Sequence, residues 1–438
     1  MKQSAHHSEL LKVLPHDDIL QQCMHCGLCL ATCPTYEITK MERSSPRGRI
    51  YMIKSVARGE MKLSETFAEE MNFCLDCQAC ETACPAGVKY GRMVETARVV
   101  VDEVGYGGKF SVAVKRFALR KIVASRNTLK FVSRLLWLYQ KTGLQKFIRT
   151  IGLLKLFSKK LFEIEKLSPV IADKFSDKQI KDVELPEGEV KFTTAFHFGC
   201  LMNTMFAEIN MDTIDVLKHC GCKIITPKDQ ECCGSLSGHN GDMEFALKLA
   251  RKNIDAFDKQ DYDFLISNSA GCGAFMKDYA HLLENDPAYA RKAKRFSSKV
   301  KDIMEFIAEQ KPEMNLNYKN QNDSVTYHDA CHLLHAQKVG TKPRDVINSL
   351  PGIKYTELEE SSWCCGSAGI YNVVRYDDAI KQLERKMNNI KKTNAKIVLT
   401  GNPGCMGQIK FGTQKFNVDV EVIHPVTLIR RSLKKNQA

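Results

Sequence analysis

The chain has 438 residues, 44% apolar and 26% charged, which is enough for two or three domains with cores of their own. It holds no run of about 18 uninterrupted apolar residues, which excludes a membrane-spanning helix by sequence, and its opening MKQSAHHSEL carries no apolar secretory segment. A reducing, cytoplasmic setting is therefore expected for its 18 cysteines, not a disulfide framework. The net charge of +13 is localised: between Tyr106 and Val170 fifteen Lys and Arg stand against Glu163 and Glu165, so the rest of the chain is near neutral.

The first element in chain order is a doubled cysteine pattern. CMHCGLCLATCP places Cys23, Cys26, Cys29 and Cys33 before Pro34, and CLDCQACETACP places Cys74, Cys77, Cys80 and Cys84 before Pro85. Three thiolates at i, i+3 and i+6 wrap a tight loop around one [4Fe-4S] cube, while the fourth, followed by a helix-hostile proline, leaves the loop and reaches the other cube. The expected ligand sets are crossed: Cys23, Cys26 and Cys29 take Cys84, and Cys74, Cys77 and Cys80 take Cys33. Structural zinc uses two separated CxxC or Cys/His pairs rather than a triplet with a distant fourth, which argues against it. Residues 1–104 are thus expected to form an α-helical ferredoxin-type domain with two [4Fe-4S] clusters.

Next comes GYGGKF, from Gly105 to Phe110. It fails the dinucleotide pattern GxGxxG because Phe110 stands at the last glycine, and it fails the phosphate loop because no Ser or Thr follows Lys109, so it reads as a flexible junction. Residues 105–185 read as a basic helical connector. Leu144, Phe147, Ile148, Ile151, Leu154, Phe157, Leu161 and Ile164 step by three or four residues, which predicts a basic amphipathic helix. Such a helix suits an anionic membrane surface or an acidic partner, and the competing reading is a packing helix that closes an inter-domain core. The segment has no nucleic-acid reading motif, so no nucleic-acid partner is expected.

The remaining half is an internal repeat, 186–312 and 313–438. Cys200, Cys232, Cys233 and Cys272 recur as Cys331, Cys364, Cys365 and Cys405. Strands TTAFHFGC, CKIITP and DFLISNSAGC alternate with helices around Ala207 to Lys218 and Glu244 to Phe257, the βαβ pattern of a parallel sheet covered on both faces. Each copy should bring its four cysteines to the carboxyl edge of its sheet, as ligands of one or two further iron–sulfur clusters. In the adjacent pairs the following glycine supplies the backbone freedom that a close approach demands. Cys220 and Cys222 are matched in the second copy by Leu350 and Gly352 and read as a helix end and a strand start.

On these residues the chain resembles a known family. The repeated CCG looks like the cysteine-rich domain of the heterodisulfide reductases, and the whole order resembles the glycolate oxidase iron–sulfur subunit, through QCMHCGLCLATCPTYE, SPRGRIYMIK, CLDCQACETACPAGVKYG, AGCGAFMKDY, YHDACHLLHAQK and WCCGSAGIYN. The resemblance runs from about Asp17 to Arg431, and Pro46 to Tyr51 favour this family over the related iron–sulfur component of anaerobic glycerol-3-phosphate dehydrogenase. It implies FAD-binding partner chains that oxidise glycolate, or a similar acid such as lactate, and electron delivery to quinone. It also admits a heterodisulfide reductase-like catalytic role. One departure stands out: where the heterodisulfide reductase domain ends in CxxC, Cys272 is followed by Gly273, Ala274 and Phe275, and Cys405 by Met406, Gly407 and Gln408. Four protein ligands per copy are therefore expected.

No nucleotide site is expected in this chain, so hydroxy-acid oxidation belongs to a partner and no catalytic residue is assigned here. His197 and His328, each three residues before the first cysteine of its copy, and His25, inside the first loop, are candidates for ligand, proton or supporting roles. Arg47 and Arg49 are candidates for tuning a cluster's potential or binding a partner's carboxylate, but are expected rather to cap a helix or form surface salt bridges. The chain as a whole is read as a multidomain α+β electron-transfer subunit, cytoplasmic or peripheral on the inner face of the cytoplasmic membrane through 106–166.

Overall fold

A computed structural model describes residues 13–314, 316 and 323–433. The opening MKQSAHHSEL and the final residues of the second repeat lie outside them.

The helices Pro34–Thr39, Pro46–Ala57, Glu65–Phe73 and Tyr90–Val104 frame the two cysteine loops. Pro34 does not end structure but begins it: it occupies the first helical turn, where its missing N–H is no loss, and Cys33 is the N-cap. Ser45 and Ser64 cap the next two helices by accepting from the Gly48 and Phe67 amides at 3.0 and 3.2 Å. Within PRGRIY, Gly48 is obligatory, because a Cβ there would lie 2.0 Å from the Glu42 carbonyl oxygen. Ile53, Phe67, Met71, Met93 and Val100 are wholly buried between these helices.

Arg49 overturns its expectation of a surface role. Its side chain is fully buried, with Nε donating to the Glu70 carbonyl at 2.7 Å, Nη1 to Thr35 Oγ1 at 3.0 Å and Nη2 to the Glu70 carboxylate at 3.3 Å. It joins the segment after the first cysteine loop to the helix before the second.

The two repeats carry the same sheet. In the first, β2 (Phe192–His197), β3 (Cys222–Ile225), β4 (Phe264–Ser267) and β5 (Val300–Asp302) pair in parallel in the order β3-β2-β4-β5. In the second, β6 (Asp323–Tyr327), β7 (Ile353–Tyr355), β8 (Ile397–Leu399) and β9 (Glu421–Ile423) pair in parallel as β7-β6-β8-β9. β1 (Val183–Glu184), from the segment assigned to the connector, adds an antiparallel edge beside β3.

The repeats share a core cluster in addition to those on their outer faces. Phe196, Ile224, Ile266 and Ile303 share one buried cluster with Val325, Tyr327, Leu399 and Ile429. The last helix, Pro425–Ser432, returns to the first repeat, where Thr427 Oγ1 donates to Asp212 and Arg430 Nε to Asp215, both at 2.7 Å.

The connector is not one amphipathic helix. It runs as Lys109–Phe117, a π-turn at Ala118–Val123, then Arg126–Lys141, Leu144–Ile151, Leu153–Phe157 and Lys159–Lys166. Gly143 and Gly152, at φ +80° and +67°, turn the chain between them, and the Ser158 side chain caps the last. Both ends are pinned: Arg120 forks onto Asp242 through two bonds of 2.6 Å, while Glu163 accepts from Tyr376 at 3.1 Å and pairs with Lys415 at 3.3 Å. The apolar stripe faces outward. Leu144, Phe147 and Ile151 are exposed along one helix face, and Leu156 and Phe157 follow at 81% and 77% exposure, which disposes of the packing-helix reading for that stretch. Among the described residues no helix is long and apolar enough to cross a membrane.

Arg49→Met would leave the Glu70 carboxylate with Arg43 and Ser44 but take the buried donors from the Glu70 carbonyl and Thr35 Oγ1. The expected cost is about 1–3 kcal/mol, seen as a lower denaturant midpoint for the N-terminal helices. An unchanged midpoint would show that Arg49 is not a structural tie.

Candidate iron–sulfur sites

The two N-terminal loops share one backbone. In CMHC and CLDC the residue before the second cysteine, His25 or Asp76, has φ +53° or +51°, and the residue after it, Gly27 or Gln78, has φ +87° or +59°. Left-handed residues at both positions bend the loop so that its three thiols face one side, at a cost of about 1–3 kcal/mol for each residue that is not glycine. His25 thus serves loop geometry: its carbonyl accepts from Arg47 Nη1 at 3.0 Å, and Arg47 is held in turn by Glu42.

A pocket open to solvent, about 470 Å³ of space in all, is lined by Cys23, Cys26, Cys29, Cys80 and Cys84 with Pro46, Arg47, Ile50, Val88 and Tyr90. The structure brings together the first three cysteines of one run and the last of the other, with Cys80 of the second run beside them. Cys80 lies in the field of Cys77, Cys74 and Cys33, so the second group assembles with the opposite crossing, and burial pushes the Cys77 and Cys80 thiols up. Asp76 N–H donates to Cys74 Sγ at 3.3 Å and Tyr90 O–H to the same sulfur at 3.5 Å.

In the first repeat Cys200 Sγ and Cys232 Sγ stand 3.6 Å apart, Cys233 is in contact with both Cys232 and Cys272, and the adjacent pair is buried while Cys200 and Cys272 are half-buried. The second repeat reproduces the series, with Cys331 against Cys364, Cys364 against Cys365, and Cys365 against Cys405. Cys272 and Cys405 do not end strands. They sit in the first turns of the helices Ala270–Leu282 and Pro403–Lys415, where amide dipoles favour negative charge. The glycines after the paired cysteines have φ +89° at Gly234 and +87° at Gly366, and a Cβ would meet the Ala246 carbonyl at 3.1 Å or the Ala379 carbonyl at 2.5 Å. All eighteen cysteines are unpaired thiols, and Cys220 and Cys222 are buried at a helix end and at the first residue of β3.

The sites adjoin one another. Cys77 lies within the electrostatic reach of Cys331 and Cys364, and Cys77 packs with Phe73, Leu75, Cys364 and Tyr371. The turns carrying Cys272 and Cys405 touch: Ala270 N–H donates to the Gly401 carbonyl at 3.0 Å and Gly271 N–H to Asn402 Oδ1 at 3.1 Å. Beside Cys200 and Cys232 a cleft of about 290 Å³ is roofed by Ala124, Arg126 and Leu129 of the connector.

Sequence reasoning missed the buried polar junction under the second loop. His239 Nδ1 lies 2.5 Å from Glu95 and 3.2 Å from Asp76. Burial opposes its charge, yet the Glu95 and Asp76 carboxylates hold the imidazole protonated, with its pKa pushed up to about 10, and it holds Asp76 down at about 2. Arg98 joins the same place, donating to the Met71 carbonyl at 3.0 Å and the His239 carbonyl at 2.8 Å. Nothing in the spacing of these residues marks them; only the CLDC loop hints at Asp76.

Four groups of converging thiols at the carboxyl edge of parallel sheets and in paired loops fit iron–sulfur clusters, and the fold defines an iron–sulfur protein with a dicluster helical domain and a doubled cysteine-rich α/β domain. The family models agree: 4Fe-4S dicluster domain at 19–88, glycolate oxidase iron–sulfur subunit linker region at 112–168, and cysteine-rich domain at 194–277 and 325–410. The chain belongs to the glycolate oxidase iron–sulfur subunit family. It is 37% identical over 415 residues to the Bacillus subtilis (strain 168) protein described as "Probable glycolate oxidase iron-sulfur subunit", covering 94% of this chain and 93% of that one. It is 30% identical over 428 residues to the Escherichia coli (strain K12) "Glycolate oxidase iron-sulfur subunit", covering 97% of each. "Lactate utilization protein A" of Exiguobacterium sp. (strain ATCC BAA-1283 / AT1b) is 25% identical over 241 residues, 55% of this chain and 98% of that protein.

Two outcomes test this geometry. Gly366→Ala should release iron from the second repeat, whereas Gly407→Ala, with open space around its Cβ, should retain it; equal iron in both variants would contradict the close-approach argument. His239 has a folded pKa above its ordinary value, so its contribution to stability is complete below pH about 6.5 and is lost as pH rises through about 10. The thermal midpoint should fall across that window and should fall less in His239→Gln; identical slopes would rule out the junction as a stabilising element.

Proposed function

We propose that this chain is the iron–sulfur electron-transfer subunit of a complex that oxidises glycolate or a similar 2-hydroxy acid on an FAD-binding partner and delivers the electrons to quinone. The observation that carries the reading is the unbroken adjacency of the four thiol groups, from the Cys23 cavity through Cys77 and Cys331 to the Cys272 turn and the cleft beside Cys200. Clusters held by Cys23, Cys26, Cys29 and Cys84, by Cys74, Cys77, Cys80 and Cys33, and by the two CCG sets supply reversible one-electron chemistry. The chain's own part is to fix the spacing of the sites, exclude water, and leave openings at the two ends. The exposed Met24 and Leu28 beside the first cavity suit a flavoprotein contact, and the cleft under Arg126 suits a planar acceptor.

The connector supports peripheral attachment to an anionic membrane, where quinone resides. Its outward Leu144, Phe147, Ile151, Leu156 and Phe157 accompany Lys146, Lys155, Lys159 and Lys160, for which no carboxylate partner stands among the described residues. The near full-length similarity to two proteins described as glycolate oxidase iron–sulfur subunits supports the substrate class.

Anaerobic co-purification followed by addition of glycolate or D-lactate tests the reading: a flavoprotein should accompany the chain and either acid should bleach the visible absorbance. A complex without flavin, or clusters unmoved by both acids, would refute it. Flotation with anionic vesicles tests the surface. Gln at Lys155, Lys159 and Lys160 together should weaken low-salt binding by about 100-fold, since each basic residue near such a surface contributes about 1 kcal/mol. Equal flotation of the variant would exclude these lysines.

A further inference from the structure

The two CCG sites are not equivalent, and the difference lies in a histidine. His328 follows β6 directly, is 1% exposed, and neither ring nitrogen has a hydrogen-bond partner among the described residues. One of those nitrogens lies with Cys365 Sγ and Cys405 Sγ in a group whose ligand atoms are all within 4.8 Å of one another. The Ser361 backbone interacts with the ring without meeting hydrogen-bond geometry. A buried imidazole with no hydrogen-bond partner and one nitrogen beside two thiols has a lone pair available to a metal centre that those thiols share.

The matching residue in the first repeat behaves differently. His197 Nε2 donates to the Glu231 carbonyl at 3.2 Å, and no comparable group of its ring with Cys233 and Cys272 forms among the described residues. The helices behind the two sites differ in the same sense. Ala246 and Ala379 both back the CCG glycine, which aligns Asn253 with Lys386. Asn253 donates to the Cys232 carbonyl at 3.0 Å, whereas the buried Lys386 ammonium donates to the Glu360 and Ser361 carbonyls and lies in the field of Cys364 and Cys365.

We propose that His328 is a nitrogen ligand of the iron–sulfur centre in the second repeat, added to Cys331, Cys364, Cys365 and Cys405, while the first repeat offers thiolates alone. The inference rests on the reading that the second repeat holds such a centre. A neutral nitrogen brings no further negative charge to the four thiolates, whereas Lys386 adds a positive charge beside the centre where the first repeat has the neutral Asn253. That positive charge makes reduction easier, since net charge around a cluster sets its potential. The second repeat's centre is then the higher-potential one of the two.

The test is pulsed electron paramagnetic resonance of the anaerobically purified, partly reduced full chain, with iron counted on the same samples. The wild type should show a strongly coupled nitrogen-14 signal that survives in His197→Gln and disappears in His328→Gln. His328→Cys, which replaces the nitrogen by a fifth thiolate, should keep the iron, lose the coupling and lower the midpoint potential. If His328→Gln fails to fold, the wild-type spectrum and His328→Cys still decide the matter. Absence of the coupling in the wild type, or its persistence in His328→Cys, overturns the inference alone. Iron content unchanged in Cys364→Ser/Cys365→Ser overturns the reading beneath it, and the inference with it.

Discussion

Thiolates that share an inorganic centre must leave water together and still be drawn within a few ångströms of one another from distant parts of the chain. Everything else in this protein answers that demand. Left-handed turns at His25, Gly27, Asp76 and Gln78 aim three sulfurs inward from each short loop, and the crossed fourth cysteine makes the two loops a single unit. In the repeats the demand is met by topology: three parallel strands end at one edge, and the turns beyond them deliver Cys200, the adjacent pair at Cys232, and a helix-capped Cys272. Buried cations and helix N-termini then offset the negative charge such sites gather. Arg49, Arg98 and Lys386 are placed where no surface requirement would put them.

Adjacency is the second consequence. Because the helical domain stands on the cysteine-rich half through Thr82 with His335, Glu69 with Arg375, and Pro34 with Gln382, the Cys77 loop is pressed onto the second repeat. The repeats in turn share a core cluster, so their two cysteine edges cannot drift apart. The result is a set of sites whose separations are set by packing, which is the property an electron relay requires. The connector carries the densest run of exposed apolar side chains, from Leu144 to Phe157, beside basic residues.

Much of this was legible in the sequence, for definite reasons. The cysteine spacings are local, so the loops could be read directly. The repeat's strands and helices were legible because period-2 and period-3.6 patterns alternate and because the copies check each other: Ala207–His219 and Met243–Asp258 lie within a residue or two of expectation. What escaped was set by tertiary context. The connector's periodicity continues across Gly143, Gly152 and Ser158, so a pattern that suggests one helix is divided among several. PRGRIY reads as an exposed helix start, yet Arg49 turns inward because Glu70 awaits it 21 residues on. The junction of Asp76, Glu95 and His239 joins residues from three separate segments and has no linear signature.

The central claim is that all four thiol groups hold iron–sulfur centres. It is tested most directly by counting iron and acid-labile sulfide in anaerobically isolated protein, beside a variant with serine at Cys232, Cys233, Cys364 and Cys365. The account predicts clearly more than the roughly eight irons that two cubanes supply, falling to about eight in the variant. A wild type that already stops at eight, with the variant unchanged, would contradict it.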